Sequence, residues 1–174
     1  MIRALMLFTS LSVAAFAMPQ ATPEAISQPE AVPQSAGTQT TLPEPPADWR
    51  IWPRVNGAWS FDSRKAELTD GIGRAVITIR CDRQDDAVYL TRHLVIGDGN
   101  ALTLMTSFNE WTIAGTREGH DDDADIRIRL PKDDRLLDQI VYSRGYFGVR
   151  TPANQAVRIP AAPEIARIVE QCRA

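Results

Sequence analysis

Cysteine and histidine are scarce in this chain, and positive charge is not in surplus. Two cysteines and two histidines occur among 174 residues, and the formal net charge is −3. Binding to a nucleic-acid backbone depends on a surplus of Lys and Arg, so nucleic acid is not an expected partner. A zinc site is not expected either, because two histidines in different segments fall short of the three or more ligands that such a site needs.

Sequence motifs of nucleophilic catalysis are also absent. The chain has no Gly-x-Ser-x-Gly elbow and no Cys-x-x-Cys pair. His93 lies in a predicted strand and His120 lies in a predicted loop, and neither is assigned a catalytic role. We therefore expect a protein that is not an enzyme and that carries no cofactor.

Long apolar runs are missing except at the N-terminus. Arg3 precedes an uncharged, largely apolar run at residues 4–17, and Ala15-Phe-Ala17 forms a small-x-small cleavage site. The run is shorter than the roughly 20 residues that span a bilayer. These features predict a signal peptide at residues 1–17, a bacterial periplasmic or secreted protein, and no stable membrane insertion after cleavage.

The next segment, residues 18–46, contains no aromatic residue and is rich in Pro, Ala, Gln, Thr and Ser. Such a composition buries too little apolar surface to offset the entropy lost on ordering. It predicts a disordered linker. The linker is either a spacer across the cell wall or a leader without a partner.

The remaining residues, 47–174, are predicted to form a single β-sandwich domain. Alternating apolar and polar residues at intervals typical of β-sandwiches, with turn signals such as Asn56-Gly57, predict about eight antiparallel strands. The predicted strands cover residues 58–62, 74–81, 87–93, 101–107, 111–116, 124–130, 146–151 and 156–159. The fold class is therefore mainly β.

Two helices complete the prediction. Asp133 or Asp134 is suited to cap a short internal helix, and Gly145 is suited to end it in a left-handed conformation. Leu136, Leu137, Ile140 and Val141 would form its buried face. A C-terminal helix is predicted from Pro163, with one apolar stripe made of Ile165, Ile168, Val169 and Cys172.

Cys81 and Cys172 are predicted to form a disulfide. Both fall on apolar faces, one at the end of a strand and one in the last helical turn, and the expected compartment is oxidising. The bond would attach the final helix to the sheet. The alternative is a pair of buried thiols.

Other conspicuous residues have structural explanations. Asp121, Asp123 and Asp125 have the spacing of a calcium loop, but Ile126 and Lys132 stand where that loop needs Gly and Glu, so a solvated loop is expected. Trp49 and Trp52 suit either a ligand platform or packing, and packing is favoured. The triplet Ser143-Arg-Gly145 is interpreted as a helix end.

The last third of the domain resembles a known group of secreted proteins. The run from Leu136 to Val149, the segment Pro160 to Ile165 and the end Glu170 to Arg173 are similar to small periplasmic proteins of sphingomonads, and more distantly to invasion-associated locus B proteins of alphaproteobacteria. The resemblance implies a β-sandwich and a periplasmic location, and it implies no enzymatic activity. Locus B proteins often have more cysteines than the two found here.

The favoured function is an envelope binding or interaction module whose partner is an envelope protein or a cell-wall component. One alternative is a small envelope hydrolase with a carboxylate-based site, which requires a cleft and a raised carboxyl pKa. Another is an inhibitor or chaperone-like module that binds through a strand edge.

Overall fold

Two antiparallel sheets that share one hydrophobic core form the body of the protein in a computed structural model, which describes residues 41–120 and 123–174. The predicted fold class, a mainly β protein of the β-sandwich type, is confirmed. The predicted signal peptide at 1–17 and linker residues 18–40 lie outside the described residues. Within the described ranges, no helix is long and apolar enough to cross a membrane.

The larger sheet has six strands in the order β1-β2-β3-β4-β8-β7. Its strands are β1 (Gly57–Phe61), β2 (Lys65–Asp70), β3 (Ala75–Asp82), β4 (Ala87–Val95), β7 (Thr116–Glu118) and β8 (Ala124–Pro131). The predicted hairpin of β3 and β4 is present, with Ile79 opposite Leu90. Each neighbouring pair in this sheet is antiparallel.

The smaller sheet has four strands in the order β10-β9-β5-β6. Its strands are β5 (Ala101–Met105), β6 (Glu110–Ala114), β9 (Tyr146–Arg150) and β10 (Ala156–Pro160). Leu104 lies opposite both Trp111 of β6 and Val149 of β9, so β5 is a central strand.

The core follows the alternation of apolar residues along the strands. Ile126, Ile128 and Leu130 all face inward from β8, as their spacing predicts. Phe147 and Val149 of β9 are fully buried as well. The inner faces of both sheets and the two helices contribute to one continuous cluster, so the sheets have little freedom to move apart.

Two helices close the core. Helix α1 (Arg135–Val141) begins at Asp134, whose side chain accepts a hydrogen bond from the Leu136 N–H. Helix α2 (Pro163–Arg173) has Pro163 in its first turn and packs on the larger sheet, mainly on β3. Its predicted apolar stripe is confirmed, since Ile165, Ile168, Val169 and Cys172 are all buried.

The predicted disulfide is present between Cys81 at the end of β3 and Cys172 in the last turn of α2. The two Cα atoms are 5.4 Å apart, within the range that a disulfide spans. The bond joins residues 91 positions apart and fixes the end of α2 to the centre of the larger sheet.

Two strands differ from the prediction. Strand β2 is not predicted from the sequence, because its polar residues Lys65, Glu67, Thr69 and Asp70 obscure the alternation of apolar and polar side chains. Residues 111–116 are predicted as one strand, whereas the chain passes from one sheet to the other there. Gly115 separates β6 from β7, and a Cβ atom at this position would lie 2.3 Å from the Arg127 carbonyl oxygen. The close approach requires glycine.

Helix α1 ends earlier than predicted. Its last residue is Val141, and the Ser143 hydroxyl donates to the Gln139 carbonyl in the final turn at 2.9 Å. Gly145 does have the predicted left-handed conformation, with φ of +79°. It turns the chain into β9 rather than capping the helix directly.

The end of the predicted linker contacts the domain. The Leu42 N–H donates to the Ala153 carbonyl at 3.0 Å, and Asn154 Nδ2 donates back to the Leu42 carbonyl at 3.1 Å. The Trp52 indole N–H donates to the Pro46 carbonyl at 2.7 Å. Residues 42–46 therefore follow the outer side of the smaller sheet.

Candidate functional site

One cleft of the domain combines arginine and aromatic side chains from four separate segments. We call it the arginine–aromatic cleft, and its volume is about 460 Å³. Its lining residues are Trp49, Arg50, Ser107, Phe108, Arg144, Tyr146 and Arg158. None of these side chains is acidic, although the chain as a whole has more acidic than basic residues. The local charge is therefore opposite to that of the whole chain.

The floor of the cleft is formed by neighbouring strands of the smaller sheet. Tyr146 begins β9, and Arg158 lies in β10. The Arg158 guanidinium carbon is 5.3 Å from the centre of the Tyr146 ring, and that of Arg54 is 5.5 Å from the same ring. Both distances allow a cation–π attraction, which orients the positive charges around the tyrosine.

One wall is a 3-10 helix, Trp49–Ile51, that follows the Asp48 cap. The Arg158 side chain donates to the carbonyl of Trp52 at 2.7 Å and to the carbonyl of Arg50. These bonds fix both the wall and the guanidinium group. Arg50 stacks on Trp49 at 5.2 Å and forms an exposed ion pair with Asp48 at 3.5 Å, which solvent screens.

The opposite wall consists of two turns that are bonded to each other. The Arg144 N–H donates to the Ser107 hydroxyl at 2.9 Å, and the Ser107 N–H donates to the Ser143 hydroxyl at 3.2 Å. The first turn also presents Phe108, whose side chain is 59% exposed. The Arg144 guanidinium forms no ion pair with any described residue. The wall thus offers one apolar ring and one cation to a ligand.

This arrangement is suited to binding an anion. A guanidinium group donates several hydrogen bonds in a fixed plane and stays charged at neutral pH, so it binds carboxylate and phosphate groups well. The cleft brings three guanidinium groups and three aromatic rings together on elements that are hydrogen-bonded to one another. None of its described lining residues carries a carboxylate that could serve as a general base.

A second polar group lies on the outer face of the larger sheet and includes His93. The His93 Nδ1 atom is 2.8 Å from Asp125 Oδ2, and its Nε2 atom is 2.8 Å from the Thr78 hydroxyl oxygen. The Thr78 hydroxyl donates to Glu67 Oε2 at 3.2 Å, and Lys65 Nζ donates to the same oxygen at 3.0 Å. The order of Thr, His and Asp has the form of a catalytic triad.

The surroundings of Thr78 are not suited to acyl transfer. The single hydrogen of the Thr78 hydroxyl has two acceptors within reach, Glu67 Oε2 at 3.2 Å and His93 Nε2 at 2.8 Å, and the His93 tautomer decides which of them receives it. Backbone N–H groups beside Thr78 are also paired with β2 and β4, so they are not directed at an oxyanion. We interpret this group as a polar link between four strands.

Arg92 lies beside this link and is buried. Its Nη1 donates to the carbonyls of Val76, at 3.0 Å, and of His93. Burial lowers the pKa of the Arg92 guanidinium to about 10, and the nearby Asp125 carboxylate acts in the opposite direction. The group still carries its charge at neutral pH, and it joins the backbones of β3 and β4.

The acidic loop does not assemble a metal site in the described residues. Within 41–120 and 123–174, no group of three or more His, Cys, Asp or Glu side chains is placed to hold a metal ion. Asp125 bonds to His93, and its other oxygen accepts from the Leu94 N–H at 3.4 Å. Asp121, the first residue of the candidate calcium loop, lies outside the described residues.

A larger cavity of about 670 Å³ lies beside the disulfide and is lined by three arginines, Arg64, Arg80 and Arg83. Arg80 pairs with Asp82 at 3.0 Å and stacks on Tyr89, and Arg83 donates to the Gln171 carbonyl at 3.0 Å. Asp82 also lines this cavity. It is therefore a weaker anion site than the arginine–aromatic cleft.

Two parts of the cleft are conspicuous in the sequence, and the rest are not. Trp49 suits a ligand platform or packing, with packing favoured, and the triplet that contains Arg144 is interpreted as a helix end. Trp52 does pack, since it is buried against Gly148. Phe108, Tyr146 and Arg158 carried no signal, because their proximity depends on how β9, β10 and two turns meet in the folded chain.

Comparisons with known proteins found no matching family model, no matching curated protein and no matching solved structure. The function is therefore argued from the geometry of the arginine–aromatic cleft.

Proposed function

We propose that this protein is a non-catalytic binding module of the bacterial cell envelope, periplasmic or secreted, and related to invasion-associated locus B proteins. Its ligand is an anionic part of an envelope protein or cell-wall component. The observation that supports the proposal is the arginine–aromatic cleft of about 460 Å³, whose described lining residues include three arginines and no acidic side chain.

Hydrogen bonds hold the cleft residues in place, and this order favours a binding role over a purely structural one. Arg158 is fixed by two carbonyl groups, and the two turns of the opposite wall are bonded through Ser107. Pre-ordered donors lose little conformational freedom when a ligand binds, which improves affinity. Phe108 lines the cleft and remains exposed, and a bound ligand would cover part of its apolar surface.

Carboxylate-based hydrolysis has less support. Such a site needs a carboxyl group with a raised pKa. Hydrogen bonds from the Arg64 and Lys65 N–H groups instead lower the pKa of Asp62, and a hydrogen bond from the Arg74 N–H lowers that of Asp70. These groups are turn caps, and they favour the ionised form.

Affinity capture tests the proposal. Mature protein beginning at residue 18 is immobilised and incubated with envelope extract, in parallel with the R144Q and R135Q variants. Arg135 is also exposed, lies outside the cleft and changes the net charge equally. A specific ligand should be retained by wild type and R135Q and reduced about tenfold or more by R144Q. Equal retention by all three proteins, or no retained ligand, contradicts the proposal.

A further inference from the structure

The side chains that line the arginine–aromatic cleft offer many more hydrogen-bond donors than acceptors. Its three arginines donate only, and no Asp, Glu, Asn or Gln is among the described lining residues. The hydroxyl groups of Ser107 and Tyr146 are the side-chain acceptors in this lining, and that of Ser107 already accepts from the Arg144 N–H. A neutral sugar presents many hydroxyl donors and would find few side-chain acceptors here. A ligand rich in acceptor atoms has the complementary chemistry.

The cleft also presents apolar surface next to the charge. Phe108, which lines the cleft, is 59% exposed. An inorganic anion would satisfy the guanidinium groups and leave this side chain in water. Favourable burial of Phe108 requires that the ligand carry an apolar group close to its negative charge.

We infer that the arginine–aromatic cleft binds the terminal carboxylate of a peptide whose last residues carry apolar side chains. Arg144 and Arg158 form no ion pair among the described residues, and together they bind the carboxylate. The last side chain packs on Phe108, and the preceding carbonyl groups accept from the remaining donors. This inference rests on the proposed function and names the ligand class of the same site.

Peptide carboxylates occur at protein C-termini and in the stem peptides of the cell wall, and both share this chemistry. Membrane lipids are a poorer fit. A long acyl chain needs an extended apolar tunnel, whereas this cleft is short and has three charged groups among its seven lining residues. Binding to a lipid headgroup is therefore a result that would overturn the inference.

Isothermal titration of the mature protein tests the inference with four probes. The probes are N-acetyl-Ala-Phe as the acid, the same peptide as its amide, N-acetyl-D-Ala-D-Ala, and phenyl phosphate. The acid should bind at least about tenfold more tightly than the amide, because charge-assisted hydrogen bonds to the carboxylate are lost in the amide. It should also bind more tightly than phenyl phosphate. The comparison of the L- and D-peptides indicates whether a protein end or a wall peptide is the better ligand.

Three single-residue variants test whether the peptide binds in the cleft. R144Q should weaken binding of the acid about tenfold or more, and F108A should weaken it severalfold, whereas R135Q should bind like wild type. A circular-dichroism melt of each variant confirms that it is folded.

Two results overturn the inference while the proposed function stands. One is equal affinity for the acid and the amide, and the other is tighter binding of phenyl phosphate than of either peptide acid, with R144Q still reducing it. If no anionic probe binds and R144Q retains the envelope ligand as well as wild type does, the inference and the proposed function both fail.

Discussion

At the scale of single residues, Gly115 decides where the chain passes from one sheet to the other. Its N–H donates to the Asn100 carbonyl at 2.7 Å, and its Cα lies against the backbone of Arg127. Because a Cβ atom would lie 2.3 Å from the Arg127 carbonyl oxygen, a larger residue must push the start of β7 away from β8. The predicted effect of Gly115→Ala is a loss of roughly 1–3 kcal/mol of folding free energy, measured by urea unfolding.

Gly71→Ala is the matched control for this substitution. A Cβ atom at Gly71 would meet only the Asn56 carbonyl oxygen, at 3.9 Å, which is an ordinary contact. The control should unfold at nearly the wild-type urea concentration. Equal stability of the two variants would show that the crossover does not depend on glycine.

Acid sensitivity should come in part from the turn carboxylates. Backbone hydrogen bonds from Arg64 and Lys65 lower the pKa of Asp62, and one from Arg74 lowers that of Asp70, both below 3.8. A carboxyl group whose pKa is lower in the folded state stabilises the fold above its unfolded pKa. That contribution is lost as the pH falls from 3.8 through the folded pKa.

The D62N/D70N double variant tests this contribution. Its free energy of unfolding should fall less than that of wild type as the pH is lowered below about 4, measured by urea titrations across the acid range. Asn keeps an oxygen that accepts from the same N–H groups, so the turns themselves are retained. Identical acid profiles would exclude these two carboxylates as a source of the pH dependence.

At the scale of elements, the disulfide determines how firmly α2 is held on the larger sheet. Replacing both Cys81 and Cys172 by Ala should lower the free energy of unfolding by about 2–4 kcal/mol, because the reduced chain regains the entropy of a long open loop. The loop spans 91 positions. Guanidinium unfolding with and without reductant measures the change.

The double variant also provides the control for reduction. Reductant should destabilise wild type and leave the Cys81→Ala, Cys172→Ala variant unchanged. Thiol titration of folded wild type should find no reactive thiols without reductant. Two titrating thiols in that state would contradict the disulfide.

Local patterns predicted most elements, and long-range contacts explain the rest. The stripe of α2 and the position of Cys81 on an apolar face predicted the disulfide, because each depends only on local periodicity. The change of sheet at Gly115 was not predictable, since residues 111–116 alternate like one strand and only the proximity of Arg127 shows the crossover. Polar residues on β2 likewise hid a strand whose Ala66 and Leu68 are fully buried.

The cleft is even less predictable from local sequence patterns. Arg50, Arg144 and Arg158 lie on three separate segments of the chain, and no local sequence pattern predicts that they meet. They meet because β9 pairs with β10 and because the Ser107 turn bonds to the Arg144 turn. The sequence assigns His93 no catalytic role. In the structure its ring forms hydrogen bonds with Thr78 and Asp125 on the two neighbouring strands.

At the scale of the whole molecule, the positive charge of the arginine–aromatic cleft contrasts with the net charge of the chain. The formal net charge is −3, whereas the described residues that line the cleft include three arginines and no acidic side chain. This contrast favours an anionic ligand that is held by short-range contacts, because the net charge of the protein does not attract it over long distances. Binding should therefore depend on individual cleft residues more than on total charge.

The most direct test of the proposed binding site is a chemical-shift map of the isotope-labelled mature protein titrated with N-acetyl-Ala-Phe. We predict that the largest changes occur at the Trp49 indole N–H, at Phe108 and at the backbone N–H of Arg144, and that R144Q removes them. Largest changes at Thr78 and His93, or around the cavity beside the disulfide, would contradict the assignment of the binding site to the arginine–aromatic cleft.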